Sequence, residues 1–289
     1  WTRTMYDGTS PSDRPGETPS LQRARGRARI AVRADGGVTR LADLYQDGCA
    51  KLRLPKVYGP SSTDPGVEAV LLNTAGGLTG GDVYGTEALA GPGAALTLTT
   101  QACERVYRAS SGTARVETRL SADAGARLHW LPQETILFDG GRLDRTLDVD
   151  LSGDAAFLAV EALVLGRVAS GETVSAGSFT DSWRVRRDGR LIFADAARIG
   201  GDIDAVAAGP ATLAGMKAVA TVVLAAPGAD DKLAEARAVL DPLATAGASA
   251  MPGLLICRLV APDDRALRAC LVPLLNLLAG RALPRVWHL

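Results

Sequence analysis

A chain of 289 residues with 47% hydrophobic content is long enough to bury a sizeable core without disulfide staples. Lysine plus arginine balances aspartate plus glutamate at 32 each, so no net field draws the protein to nucleic acid or to an anionic membrane. Four widely separated cysteines, Cys49, Cys103, Cys257 and Cys270, form no CxxC pair or Cys/His cluster, which points to a reduced, cytoplasmic setting.

The opening stretch, with SPSDRPGETPS, carries almost no aliphatic side chains, so residues 1–27 are expected to be a flexible N-terminal tail. Arg23, Arg25, Arg27 and Arg29 then alternate ahead of Ile30 and Val32, the pattern of a solvated strand face. A basic nucleic-acid arm or a targeting segment is the alternative. From Ile30 to Leu224 period two dominates: Thr97 to Thr100, then Val116, Thr118 and Leu120, then Leu128 and Trp130, then Leu147, Val149 and Leu151. These runs close on Gly, Asp or Pro, as in GPGA, SADAGA, FDGG and SGDA, and no long amphipathic helix separates them. Residues 28–225 are therefore expected to form a mainly β scaffold, antiparallel or solenoidal, and not a doubly wound sheet.

Residues 226–289 read as a C-terminal α+β portion. One helix is predicted over Asp231–Ala246, with Leu233, Ala236, Leu240 and Leu243 on one face and Gly247 as its cap. A second starts near Asp263 and Asp264, carries Leu267, Cys270, Leu271, Leu274, Leu275 and Leu278 inward, is kinked by Pro273 and closes on Gly280. Val219–Leu224 and Leu254–Val260 read as buried strands. The apolar run around Pro273 falls short of the roughly 20 residues needed to span a bilayer.

The segment LLNTAGGLTGGD, Leu71 to Asp82, invites a phosphate-loop reading, but Asp82 stands where Lys followed by Ser or Thr is required. A sharp turn capped by Asp82 and a functional Asp82 facing a cation or a partner both remain open. Only His129 and His288 offer imidazoles, so a tight, closed transition-metal site is not expected. In FLAVEALVLG, Glu161 is expected to be partly buried, with Arg167 as a partner for its charge. In WLPQETILF, Trp130 reads as core, Pro132 as a kink, and Gln133 and Glu134 as exposed to solvent or a passage.

These blocks, with LHWLPQETILFDGG (Leu128 to Gly141), TTQACERVYR (Thr99 to Arg108) and EALVLGRVASGE (Glu161 to Glu172), resemble the urease accessory protein UreD family, also called UreH. The resemblance runs from about Arg29 to the closing LPRVW, Leu283 to Trp287. It implies an elongated, β-helix-like stack of strands and a maturation chaperone without catalytic activity. Such a chaperone binds apo-urease and the helical accessory protein UreF, reaches the GTPase UreG through UreF, and helps nickel into the urease active site. A homodimer within that complex stays open. No tightly bound cofactor is implied, only a transient nickel ion. Asp82, Glu104, Glu134, Glu161 and Glu172 lie in the shared blocks and are the conduit candidates, because carboxylates bind and release such a cation readily. Cys103 and Glu104 depart from the small, hydroxyl and Lys-like residues usual in the family there. Partner-binding candidates are Gln133, Leu271, Leu275 and Trp287. The alternative function is a β-solenoid carbohydrate-active enzyme using paired carboxylates, which the 4% aromatic content disfavours.

Overall fold

The computed structural model describes residues 22–56, 66–167 and 170–288. The expected tail lies outside the described residues as far as residue 21, and strand β1 (Arg25–Asp35) takes up the chain from Arg25. In β1 the arginines at 25, 27 and 29 face outward while Ala28 and Ile30 are buried, so the arginine alternation is one solvated face of a strand.

Two sheets carry the fold. The chain shuttles between them, and each passage lays one parallel strand on each sheet. The seven-stranded sheet holds β1, β5 (Val83–Ala90), β8 (Ala114–Ala122), β11 (Arg142–Leu151) and β13 (Gly177–Arg187) as its parallel strands. The ten-stranded sheet holds β4 (Val67–Asn73), β6 (Ala95–Thr100), β9 (Arg127–Leu131) and β12 (Ala156–Leu165). This is a β-solenoid of about four turns, the β-helix-like stack that the family resemblance implied. Antiparallel strands flank it: β2 (Val38–Gly48) against β1, β3 (Ala50–Arg53) against β4, and β14 (Arg190–Gly201) against β13.

Strands β6 and β9 are followed by short breaks, after which β7 (Glu104–Val106) and β10 (Thr135–Leu137) resume alongside the far half of β12. Pro132 falls in the second break, where it withholds a ladder donor. In β11 the buried positions are Leu143, Arg145, Leu147, Val149 and Leu151, a strict alternation with one charged residue on the inner face. By contrast β12 is buried along nearly all its length, because the first sheet covers one face and helix covers the other, so AFLAVEALVL shows no alternation.

The covering layer is the C-terminal portion. Strands β15 (Ala218–Ala225), β17 (Leu254–Ala261) and β16 (Ala246–Met251) extend the ten-stranded sheet antiparallel from β12. Helices α2 (Leu233–Leu240) and α3 (Asp264–Ala279) pack on that sheet and enclose a second core with Leu267, Leu271, Leu274 and Leu275. Asp263 caps α3 by accepting from the Ala266 amide, Gly280 closes it in the left-handed region, and the helix continues on both sides of Pro273. The other helix differs from expectation. A 3-10 turn over Ala229–Lys232 precedes α2, which ends at Leu240, and Gly247 lies in β16 instead of capping a helix. Pro242 lacks the N–H that the next helical turn requires. A short helix, α1 (Ile203–Ala208), was not foreseen. No helix among the described residues is long and apolar enough to cross a membrane.

Candidate functional site

The five candidate carboxylates fall into different environments, set by the strands that carry them. Asp82 ends the glycine-rich turn before β5 and is 4% exposed. One of its oxygens accepts from the Ala24 amide and the other from the Thr79 amide, each at 2.8 Å. It staples the turn to the start of β1, so the capped-turn alternative holds. The glycines are required by close approach: a Cβ at Gly80 would sit 2.2 Å from the Ser111 carbonyl oxygen, and one at Gly77 2.3 Å from the Tyr107 ring.

Glu161 lies between the two sheets. Trp130 Nε1 donates to one oxygen at 2.8 Å, and Arg145 pairs with the other. The Arg145 guanidinium also donates through Nε and Nη2 to Asp181 at 3.1 and 2.8 Å and through Nη1 to Thr135 Oγ1 at 3.2 Å. Trp183 Nε1 completes the knot by donating to Asp181. Burial pushes the Glu161 carboxyl upward and the Asp181 charge adds to this, while Arg145 and Trp130 pull it back. Arg145, which burial alone would lower, is held above its ordinary value by its two carboxylates. The expected Glu161–Arg167 pair does not form: a strand sends Glu161 to the interior and leaves Arg167 outside it, paired with Glu172 at 2.9 Å. Glu172 accepts in addition from the Arg167 and Asp139 amides, and these contacts hold its pKa low against the burial that would raise it.

Gln133 and Glu134 are both 6% exposed, which corrects the expectation of open side chains. Arg268 from α3 donates to Glu134 at 2.7 and 3.0 Å and to Gln133 Oε1 at 2.9 Å, and its other nitrogen donates to the Trp287 carbonyl. Trp287 Nε1 donates to the Leu131 carbonyl at 3.1 Å. This clasp ties the β9–β10 break to α3 and to the chain end. Leu271 and Leu275 are fully buried and Trp287 is 2% exposed, because their apolar faces fill the second core; they form no surface for docking.

Glu104 stands apart. It opens β7, is half-buried, and forms no salt bridge among the described residues. The Asn73 amide donates to its two oxygens at 3.2 and 3.1 Å, and the Arg105 backbone N–H donates at 3.2 Å. Burial raises its pKa against those contacts and against the Arg105 charge. It lines a cavity of about 180 Å³ with Asn73, Gly77, Tyr84, Cys103 and Arg105. The segment Gln101–Cys103 separates this cavity from one of about 340 Å³ lined by Gln133, Glu134 and Arg268. No group of three or more His, Cys, Asp or Glu side chains among the described residues is arranged to hold a metal ion.

Sequence reasoning missed Arg145, Asp181, Arg268 and Asn73. The first two had a signal, since each occupies the inward parity of an alternating strand: Arg145 between Leu143 and Leu147, Asp181 between Phe179 and Trp183. Arg268 and Asn73 had none, because their partners are far away in sequence.

The profile of the family described as UreD urease accessory protein matches residues 24–288. The urease accessory protein UreD of Xanthobacter autotrophicus is 52% identical over 267 residues, 92% of this chain and 90% of the relative. Its counterpart in Rhizobium rhizogenes is 50% identical over 269 residues, 93% and 96% of the two chains, and that in Agrobacterium fabrum is 48% identical over 269 residues, 93% and 92%. With a profile spanning nearly all of the described fold and relatives near half identity over its length, the chain belongs to the UreD urease accessory protein family.

Proposed function

We propose that this protein, a non-catalytic accessory of urease maturation and nickel metallocentre assembly, offers nickel a transient carboxylate at Glu104. The observation that carries this is the contrast among the five candidates. Glu134, Glu161 and Glu172 are paired with arginines, each Asp82 oxygen is engaged by a backbone amide, and Glu104 lines a cavity where Arg105 exerts its charge on it but forms no ion pair with it. A carboxylate oriented by neutral donors keeps its charge available to an arriving cation. The half-buried Cys103 thiol stands beside it in the same cavity. A carboxylate and one sulfur, short of the three or more ligands that a closed site needs, hold Ni²⁺ weakly, which suits cargo in transit.

In this reading nickel is cargo and the protein carries no resident cofactor. Association with urease and with other accessory proteins follows from the family. The more specific arrangement is our inference: contact with apo-urease on one side and with the helical protein UreF on another, the GTPase UreG joined through UreF, and the whole assembled in the cytoplasm. Family membership sets aside the carbohydrate-active alternative.

In cells carrying a urease operon, deletion of the gene should leave urease inactive and nickel-poor, and re-expression should restore it. Glu104→Ala should lower urease nickel content and activity while the chain still co-purifies with apo-urease. Full nickel occupancy with the variant would remove Glu104 from the route.

A further inference from the structure

A groove of about 680 Å³ opens near the start of β12, at the end of the solenoid away from Glu104, which is in register through Thr135 with Leu163. Four segments build it: the turn around Gly153, the β13–β14 turn, and the segments 226–227 and 251–254. Aspartates pin all but the segment 226–227, whose Ala226 amide donates to the Gly253 carbonyl at 3.0 Å. Asp188 accepts from the Gly153 amide at 2.8 Å, Asp154 from the Gly125 amide at 2.7 Å, and Asp230 from the Gly253 amide at 2.9 Å. Pro227 and Pro252 also line the groove, and their fixed φ removes freedom from its wall. It is therefore preformed.

Its rim joins two features. Leu191 and Met251, 51% and 53% exposed, are the most exposed large hydrophobic residues among those described. Beside them stand Arg187 and Arg190, neither of which forms a salt bridge among the described residues. The carboxylates whose charge reaches Arg187, Asp188 and Asp154, are the two already holding turn amides. Arg187 itself donates to the carbonyls of Gly153 and Ala225, so its guanidinium is fixed in the wall, while Arg190 is exposed. An exposed leucine alone is ordinary. Two exposed apolar side chains flanking two guanidiniums without carboxylate partners make a surface with a definite complement.

The geometry points to a docking groove for a segment of a partner protein that carries a carboxylate beside a bulky apolar side chain. The apolar side chain fills the space between Leu191 and Met251, where the flexible thioether adapts to its shape. The carboxylate pairs with Arg190, whose planar donor fork suits it. The groove is independent of Glu104 and serves assembly, so its failure and that of the nickel route are separate results.

The probe is a fluorescein-labelled peptide of alternating glutamate and leucine, titrated against the full chain by anisotropy beside a lysine and leucine counterpart. The acidic peptide should bind at least about tenfold tighter and weaken with salt, as exposed charge pairs do. Arg190→Glu and Met251→Ser should each weaken it about tenfold without moving the melting temperature of these surface variants, whereas Glu104→Ala should bind like the parent. Equal binding of the two peptides, or binding indifferent to both groove variants, would overturn the proposal. So would a concentration-dependent dimer of the parent chain that Arg190→Glu abolishes, because the occupant would then be a second copy.

Discussion

Glu161 and Glu104 stand near one level of the same solenoid, since Thr135 of β10 pairs with Glu104 on one side and with Leu163, two residues after Glu161, on the other. Both are carboxylates whose pKa burial raises. They differ in what faces them. Glu161 meets a guanidinium shared with Asp181 inside the first core, and Glu104 meets an asparagine amide at the edge of a cavity. Burial of a charge does not by itself mark a functional group. A buried charge that the fold has neutralised is part of the scaffold, and one held by neutral donors in a cavity is left for something else.

The largest effect should come from breaking the scaffold side of this comparison. Arg145→Met leaves two carboxylates facing each other in an apolar interior, so unfolding in urea should show a loss of about 3–5 kcal/mol, the cost typical of orphaning a buried ion pair. An unchanged midpoint would mean that the knot contributes nothing to the fold. Asp82→Ala should come next, at about 2 kcal/mol, because two part-buried amides lose a charged acceptor. If Asp82 instead served mainly to meet a cation, its loss would spare stability and lower only urease nickel content.

A third test concerns His129, which sits on β9 with 4% exposure and has its pKa lowered to about 3 by burial and by the charges of Arg127 and Arg281. The unfolded chain takes up this proton near pH 6.5 and the folded one does not until about pH 3. Between those values the unfolded state binds more protons, so stability should fall by up to about 1.4 kcal/mol per pH unit as pH drops. His129→Leu should flatten that acid limb in a denaturation series, whatever its effect at neutral pH. An unaltered limb would mean that His129 is charged in the fold.

The fold was legible where chemistry repeats along the chain. Alternation in β8, β9 and β11 marked strands, and Asp263 and Gly280 marked the ends of α3, because each signal is local. The helix predicted past Leu240 failed because the apolar spacing outweighed Pro242. The stack of sheets came from resemblance, since period two describes a hairpin and a solenoid equally well. At the candidate site the carboxylates were legible as types and their partners were not. Gln133 and Glu134 look open in WLPQETILF, and only the chain folding back 134 residues later brings Arg268 onto Glu134. Arg145 was within reach, as a charge on the inward parity of β11.

The smallest expected change in stability sharpens the comparison most. A carboxylate whose folded pKa lies above its unfolded value is stabilising relative to neutral pH only in acid; that contribution is lost as pH rises past the unfolded value and through the folded one. At neutral pH Glu104 is therefore a cost to the fold, which Glu104→Gln should relieve while keeping an oxygen for the Asn73 amide. The variant should melt at or slightly above the parent temperature at pH 7, and the gap should close near pH 4. Combined with lower nickel content in urease, that result would identify a charge kept at the expense of stability. A variant that melts well below the parent would place Glu104 with Glu161, as one more carboxylate that the fold needs for itself.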